Sequence, residues 1–199
     1  MHVFGSYLIT DEAAAQTLKG AYGFTGTANC LVALNGFNDK QQVKMSATPP
    51  SAFGFSFSVE GIRTFNGDGT GTVNGTAVTT TGETEPLFRP NASSHNFTFN
   101  FTYVVNGDGS WTSDMVPLTY LGTFLTGPRG PLAGPPPVPA QTYTIDKLPT
   151  ISGLLAVNGM TLTAAHLTPT VETHKYSNGD VEIMICHRSR VFIRLSPAP

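Results

Sequence analysis

Between Phe97 and Tyr103 apolar and polar side chains alternate without a break, as Phe97-Thr98-Phe99-Asn100-Phe101-Thr102-Tyr103, before Val104-Val105 ends the run. A period of two puts every second side chain on one face of a pleated strand, so one face is buried and the other meets water. Residues 52–59 repeat the pattern with Phe53, Phe55, Phe57 and Val59. Both runs lead into the same turn, Asn66-Gly67-Asp68-Gly69 and Asn106-Gly107-Asp108-Gly109. Asn-Gly and Asp-Gly supply the positive φ angles that tight hairpins need. Phe57 and Phe97 fall in register across the 40-residue spacing of the turns. Either one hairpin unit is repeated, or two hairpins have converged on the same turn chemistry.

Two more hairpins are predicted. Asn158-Gly159 joins 151–157 to 160–166, and Ser177-Asn178-Gly179-Asp180 joins 171–176 to a long last run, 181–195. With 22–34, 69–80 and a segment near 116–124, the count reaches eight to ten strands. One short helix is predicted over 10–19, opened by Thr10-Asp11-Glu12 and closed by Lys19-Gly20. Segments 82–94 and 127–141 are read as non-strand. The second holds six prolines, which cannot join a central ladder. It reads as a long loop or lid over one barrel end, because the ~58 residues after it would be marginal alone. Residues 1–199 are therefore read as a single domain, with 1–19 as an N-terminal segment.

The fold class expected is all-β, a single closed antiparallel barrel with one N-terminal helix. Closure removes exposed edges, and the last run is too long and apolar to be left as one. Parity along that run puts Ile183, Ile185, His187, Ser189, Val191 and Ile193 on one face, taken as the inner one. Met184, Cys186, Arg188, Arg190 and Phe192 then point outward. In the first strand Tyr22, Phe24, Ala28, Cys30 and Val32 share the inner face. On this count Cys30 and Cys186 face opposite ways, and a disulfide between them needs a bulge to switch parity. Beside the Phe-bearing strands, Gly71, Val73, Gly75 and Ala77 share one face. Large residues opposite small ones either interdigitate into a solid core or leave an apolar cavity.

Composition narrows the function classes. The 199 residues include 27 threonines, 21 glycines and 15 prolines, which suits strands and turns. Charged residues make up only 12% and the net charge is −2, so a phosphate-neutralising nucleic-acid binder is disfavoured. No apolar run reaches the length of a membrane-spanning helix, and the aromatic content and low net charge argue against disorder. Residues 1–9 lack the pattern of a signal peptide. The Thr/Asn/Gly-rich, Lys-poor composition nevertheless resembles exported proteins.

The expected partner is a small hydrophobic ligand or substrate, with no cofactor and no metal. Phe53, Phe55, Phe57, Phe97, Phe99 and Phe101, together with Tyr22 and Phe24, are the predicted ligand wall. Candidate acid–base groups are His187, His166 and Tyr103, able to polarise one group of a bound molecule. For His187 the competing reading is a satisfied core histidine. Glu172, His174 and Tyr176 share a face that is read as solvated. A metal site from His166, His174 and His187 is disfavoured, because neither spacing nor parity supports it. The Asn-Gly-Asp-Gly segments are explained by turn chemistry rather than calcium binding. Phosphate-loop, dinucleotide and nucleophile-elbow motifs do not occur.

The sequence of elements, with a helix, then Gly20-Ala21-Tyr22 opening the first strand, then hairpins and an Arg-bearing last strand, resembles the calycin group. Lipocalins begin with a helix and a Gly-x-Trp strand, and an arginine near the end of the barrel packs on that tryptophan. Tyr22 stands at the Trp position here, and Arg188, Arg190 or Arg194 is the candidate cation. Lipocalin-like and allene-oxide-cyclase-like barrels share this plan. The resemblance implies binding of a hydrophobic or aromatic molecule, or a cofactor-independent cyclase or isomerase. A structural or secreted protein with a filled core is the remaining alternative.

Overall fold

The computed structural model describes residues 18–45, 52–81, 91–127 and 140–195. Among these, every regular element is a strand. They are β1 (Lys19–Ala33), β2 (Ala52–Asn66), β3 (Thr70–Thr81), β4 (Asn91–Val105), β5 (Ser110–Met115) and β6 (Leu121–Thr126). The remainder are β7 (Thr142–Ile145), β8 (Ile151–Leu155), β9 (Thr161–Ala165), β10 (Val171–Tyr176) and β11 (Val181–Arg194). All pairings are antiparallel.

The pairings return on themselves as a ring of eight strands. β11, β1, β2, β3 and β4 run the full height as neighbours. The other three positions are filled twice, one set above the other. The C-terminal part of β4 pairs with β5, and β5-β8-β9 leads back to Ser189–Ile193 of β11. The N-terminal part of β4 pairs with β6, and β6-β7-β10 leads back to the first residues of β11. β4, whose inner face carries Ser93, His95, Phe97, Phe99, Phe101 and Tyr103, can serve two successive neighbours without changing face. The ring therefore has a lower half closed by β5, β8 and β9, and an upper half closed by β6, β7 and β10.

The turns follow the sequence chemistry. Asp68 Oδ1 accepts from the Thr70 backbone N–H (2.9 Å) and hydroxyl (2.6 Å), and Asp108 Oδ1 does the same with Ser110 (2.9 and 2.7 Å). These hydrogen bonds from Thr70 and Ser110 hold both carboxyls below the usual range. Gly67, Gly69 and Gly109 take φ between 80° and 89°. Small residues of β3 make room for aromatics of β4. Gly71 pairs with Phe101, whose ring atom lies 2.3 Å from where a Cβ would stand.

Several expectations are corrected. There are eleven strands among the described residues; the short β7 has no alternation long enough to announce it. Residues 91–94, read as non-strand, belong to β4, and the segment near 116–124 divides into a turn and β6. The helix expected over 10–19 lies outside the described residues except for its end, where Lys19 already belongs to β1. Most of the proline-rich segment also lies outside them.

The largest correction is the parity of β11. Met184, Cys186, Arg188 and Phe192 are buried inside the ring, while His187, Ser189, Val191 and Ile193 face outward. Hydrophobicity misleads here because β-branched residues suit any strand face, and the interior accepts arginines that it can pair or stack. His187 is thus an exposed outer residue rather than a candidate catalytic one. With parity corrected, Cys30 and Cys186 are direct partners across β1 and β11. Their Cα atoms are 4.1 Å apart and their sulfurs are bonded at 2.04 Å, with no bulge. β10 is corrected in the same sense: Glu172, His174 and Tyr176 face inward and are buried.

Candidate ligand cavity

The two halves of the ring are filled differently. In the lower half Phe65 is ringed by aromatic edges, with Tyr22, Phe101, Tyr103 and Trp111 centred 5.4, 5.3, 4.9 and 6.0 Å away. Edge-to-face contacts satisfy the ring quadrupoles while excluding water. Their polar tips end on backbone carbonyls. Tyr22 Oη donates to Gly159 O at 2.8 Å, Trp111 Nε1 to Thr163 O at 3.2 Å, and Tyr103 Oη to Leu18 O. Arg194 sits 5.8 Å from the Tyr22 ring, so of the three arginines considered this one meets the tyrosine.

The upper half holds a cavity of about 510 Å³. Stacked rings form much of its wall. Phe97 and Phe99 lie 6.3 Å apart, and Tyr120 stacks on Phe97 at 5.9 Å with only 4° between the planes. On β2, next but one to β4 in the ring, Phe55 stacks on Phe57 at 6.3 Å, packed against the Cys30–Cys186 pair. Of the predicted ligand wall, Phe24, Phe53, Phe55, Phe57, Phe97 and Phe99 border this space. Tyr22 and Phe101 do not; they are buried in the lower half. Tyr103 lies there too, so its hydroxyl faces Leu18 and not the cavity. The reason is position along the strand: Phe101 and Tyr103 lie beyond the level at which the packed core begins.

A polar band crosses the aromatic wall. Arg188 makes a bidentate pair with Glu172, donating from Nη2 to Oε2 at 2.7 Å and from Nη1 to Oε1. His174 Nε2 lies 3.4 Å from Glu172 Oε2 and stacks on Tyr143 at 5.7 Å. His166 Nδ1 accepts from Arg188 Nη1 at 3.3 Å. Tyr120 and Tyr143 share a hydroxyl–hydroxyl bond of 3.1 Å. Burial opposes ionisation of Glu172, but the charge and hydrogen bonds of Arg188 outweigh it and bring its pKa down to about 2. Burial, then the charge of Arg188, lowers His166 to about 3. Burial, then His174, lowers His95 to about 4. At neutral pH the Glu172–Arg188 ion pair is therefore accompanied by the neutral imidazoles of His95 and His166, and burial lifts the Tyr120 hydroxyl to about 12. His95 presents a buried Nδ1 without a hydrogen-bond partner, set among the rings of Phe97, Phe124 and Tyr143.

His166, expected to look inward, is buried and borders the cavity. Glu172, His174, Arg188, Arg190, Arg63 and His95 border it without having been assigned to it. Their signal was present: His95 and Arg63 keep the parity of Phe97 and Phe57. Pairing the two cysteines would have turned the whole of β11 the right way. No group of metal-ligating side chains occurs among the described residues. No known protein family and no curated protein matches this chain. The eight-strand ring is a barrel-like all-β arrangement compatible with a calycin-like fold.

Proposed function

We propose that the ring acts as a closed calycin-type barrel that binds a small hydrophobic or aromatic molecule in its upper half. The cavity carries this reading. A space of about 510 Å³ walled by stacked rings has the size and lining of a small-molecule site. Burial of apolar ligand surface there contributes about 25 cal/mol per Å². A filled-core structural role is disfavoured by the same cavity.

A cofactor-independent cyclase or isomerase is the second reading. The observation favouring it is the line His166–Arg188–Glu172–His174 beside the Tyr120–Tyr143 hydroxyls, able to polarise one group of a folded substrate. His187 and Tyr103 have no part in it, since neither reaches the cavity.

Binding is tested with the neutral fluorophore N-phenyl-1-naphthylamine. The expected result is saturable 1:1 binding that is lost in Thr79→Phe, which fills the space from a wall position. Absence of saturable binding by the unmodified protein overturns the reading.

A further inference from the structure

Resting on the binding reading, we infer that the cavity takes an amphipathic monoanion, its carboxylate at the inner end on Arg63 and Arg190 and its apolar body between the Phe walls. Arg63 is 5% exposed. It rises from β2 and crosses the interior to β5, where Nη2 donates to Ser113 Oγ. Beneath it the guanidinium lies 3.7 Å from the centre of the Phe101 ring and 5.4 Å from those of Phe65 and Trp111. Those three rings do not border the cavity, whereas Arg63 and Ser113 do. The guanidinium is thus the lid of the packed core and the floor of the hollow, rings on one side and empty space on the other.

Arg190 approaches the same space from β11. It folds over Gly26, where a Cβ would come within 2.6 Å of its Cδ, and its Nη1 donates to the carbonyls of Thr27 and Ser189 at 2.9 and 2.7 Å. Phe57 lies 5.8 Å from this guanidinium. The third cation, Arg188, is already matched by Glu172. Among the described residues no carboxylate lies within ion-pair distance of Arg63 or Arg190, and the Nε of Arg63 has no hydrogen-bond partner. Ring faces and carbonyl oxygens offset part of the charge, yet two cations bordering the cavity remain without an anion. Burial, with the charge of Arg190 second, lowers Arg63 to about 9, and burial, with the charge of Arg188 second, lowers Arg190 to about 9, so both remain cations at neutral pH. A carboxylate supplies the missing charge and acceptors that a planar guanidinium fork accommodates. A neutral ligand of the same shape does not.

The test compares 2-naphthoate with 2-naphthamide, near-isosteric and differing in charge, by displacement of N-phenyl-1-naphthylamine at pH 7. Naphthoate is expected to bind at least roughly tenfold more tightly, the scale of hydrogen bonds to a charged group. Arg190→Met and Arg63→Met are each expected to reduce that preference to about two- or threefold, chiefly by weakening naphthoate. Lys175→Met, removing an outer cation paired with Asp146, is expected to change neither. Should Arg63→Met fail to fold, Arg190→Met decides alone, because its contacts are to backbone carbonyls. Equal binding of both compounds overturns the anion site and leaves the binding reading standing. A naphthoate preference that survives the arginine variants also overturns it. If the fluorophore itself does not bind, the binding reading falls first.

Discussion

The lower and upper halves of this ring are built on the same five long strands and stabilised by different physics. Below Arg63 the interior is a solid cluster of aromatic edges around Phe65, with every polar tip placed on a backbone carbonyl. Above it the strands surround a cavity, along whose wall a disulfide joins β1 to β11, a buried ion pair joins β10 to β11, and the Tyr120 and Tyr143 hydroxyls meet. A packed core gains from dispersion and dehydration at once. A hollow half forgoes much of that and relies on links that are few, directional and sensitive to solution conditions. In the binding reading proposed above, the lower half secures the fold and the upper half holds the guest.

The sharpest way to break that comparison is Phe65→Ala against Phe57→Ala. The first empties the centre of the packed cluster and is expected to lower stability by about 3–5 kcal/mol. The second removes a wall ring already bordering empty space and is expected to lower it by less than half as much. Equal losses in urea unfolding would mean that the halves do not differ.

Next is Glu172→Gln, which leaves Arg188 buried without its partner. We expect a loss of about 3–5 kcal/mol, largely recovered in the double variant Glu172→Met/Arg188→Met. Failure of the double variant to recover would show that the pair does more than neutralise itself.

Reduction of Cys30–Cys186, or Cys30→Ala/Cys186→Ala, is expected to lower stability by about 2–4 kcal/mol. The bridge ties residues 156 positions apart in sequence and so restricts the unfolded chain strongly. Differential scanning calorimetry with and without reductant measures it.

The most gradual effect is in acid. His95 and His166 resist protonation in the fold, with pKa values of about 4 and 3 against an ordinary 6.5. Between those limits the unfolded chain binds protons that the folded one does not, so stability falls as pH drops from 6.5 towards 4. Each histidine contributes a slope of at most about 1.4 kcal/mol per pH unit. Below about pH 4.5 Glu172, with its lowered pKa, adds to the loss in the same sense. His95→Phe is expected to flatten the upper part of this dependence in urea midpoints taken from pH 7 to pH 4. An unchanged slope would remove His95 from the account.

The all-strand character, the hairpin turns and the inner faces of β1 to β4 were legible in the residues themselves. Alternation of Phe with Ser, Thr or Asn, and turns rich in Asn-Gly and Asp-Gly, depend on contacts only a few residues apart. β11 was not legible in that way, because both its faces carry apolar residues and its true inner face carries arginines. The candidate site suffered from the same gap. Its aromatic wall follows from local alternation, while Glu172, Arg188, His174 and Arg190 turn inward only because partners on other strands meet them.

Local alternation, then, determined which residues form strands and, for β1 to β4, which side of each faces the interior. Tertiary structure alone decided that β4 and β11 each serve two tiers of neighbours, that Cys30 meets Cys186, and where packing stops and the cavity begins. The physical reason is range. Pleat and turn are set by neighbouring residues, but the orientation of a charged side chain is set by whether a distant strand delivers its counter-charge, an aromatic face or a carbonyl. That information lies in the pairing of strands, which no single stretch of the chain contains.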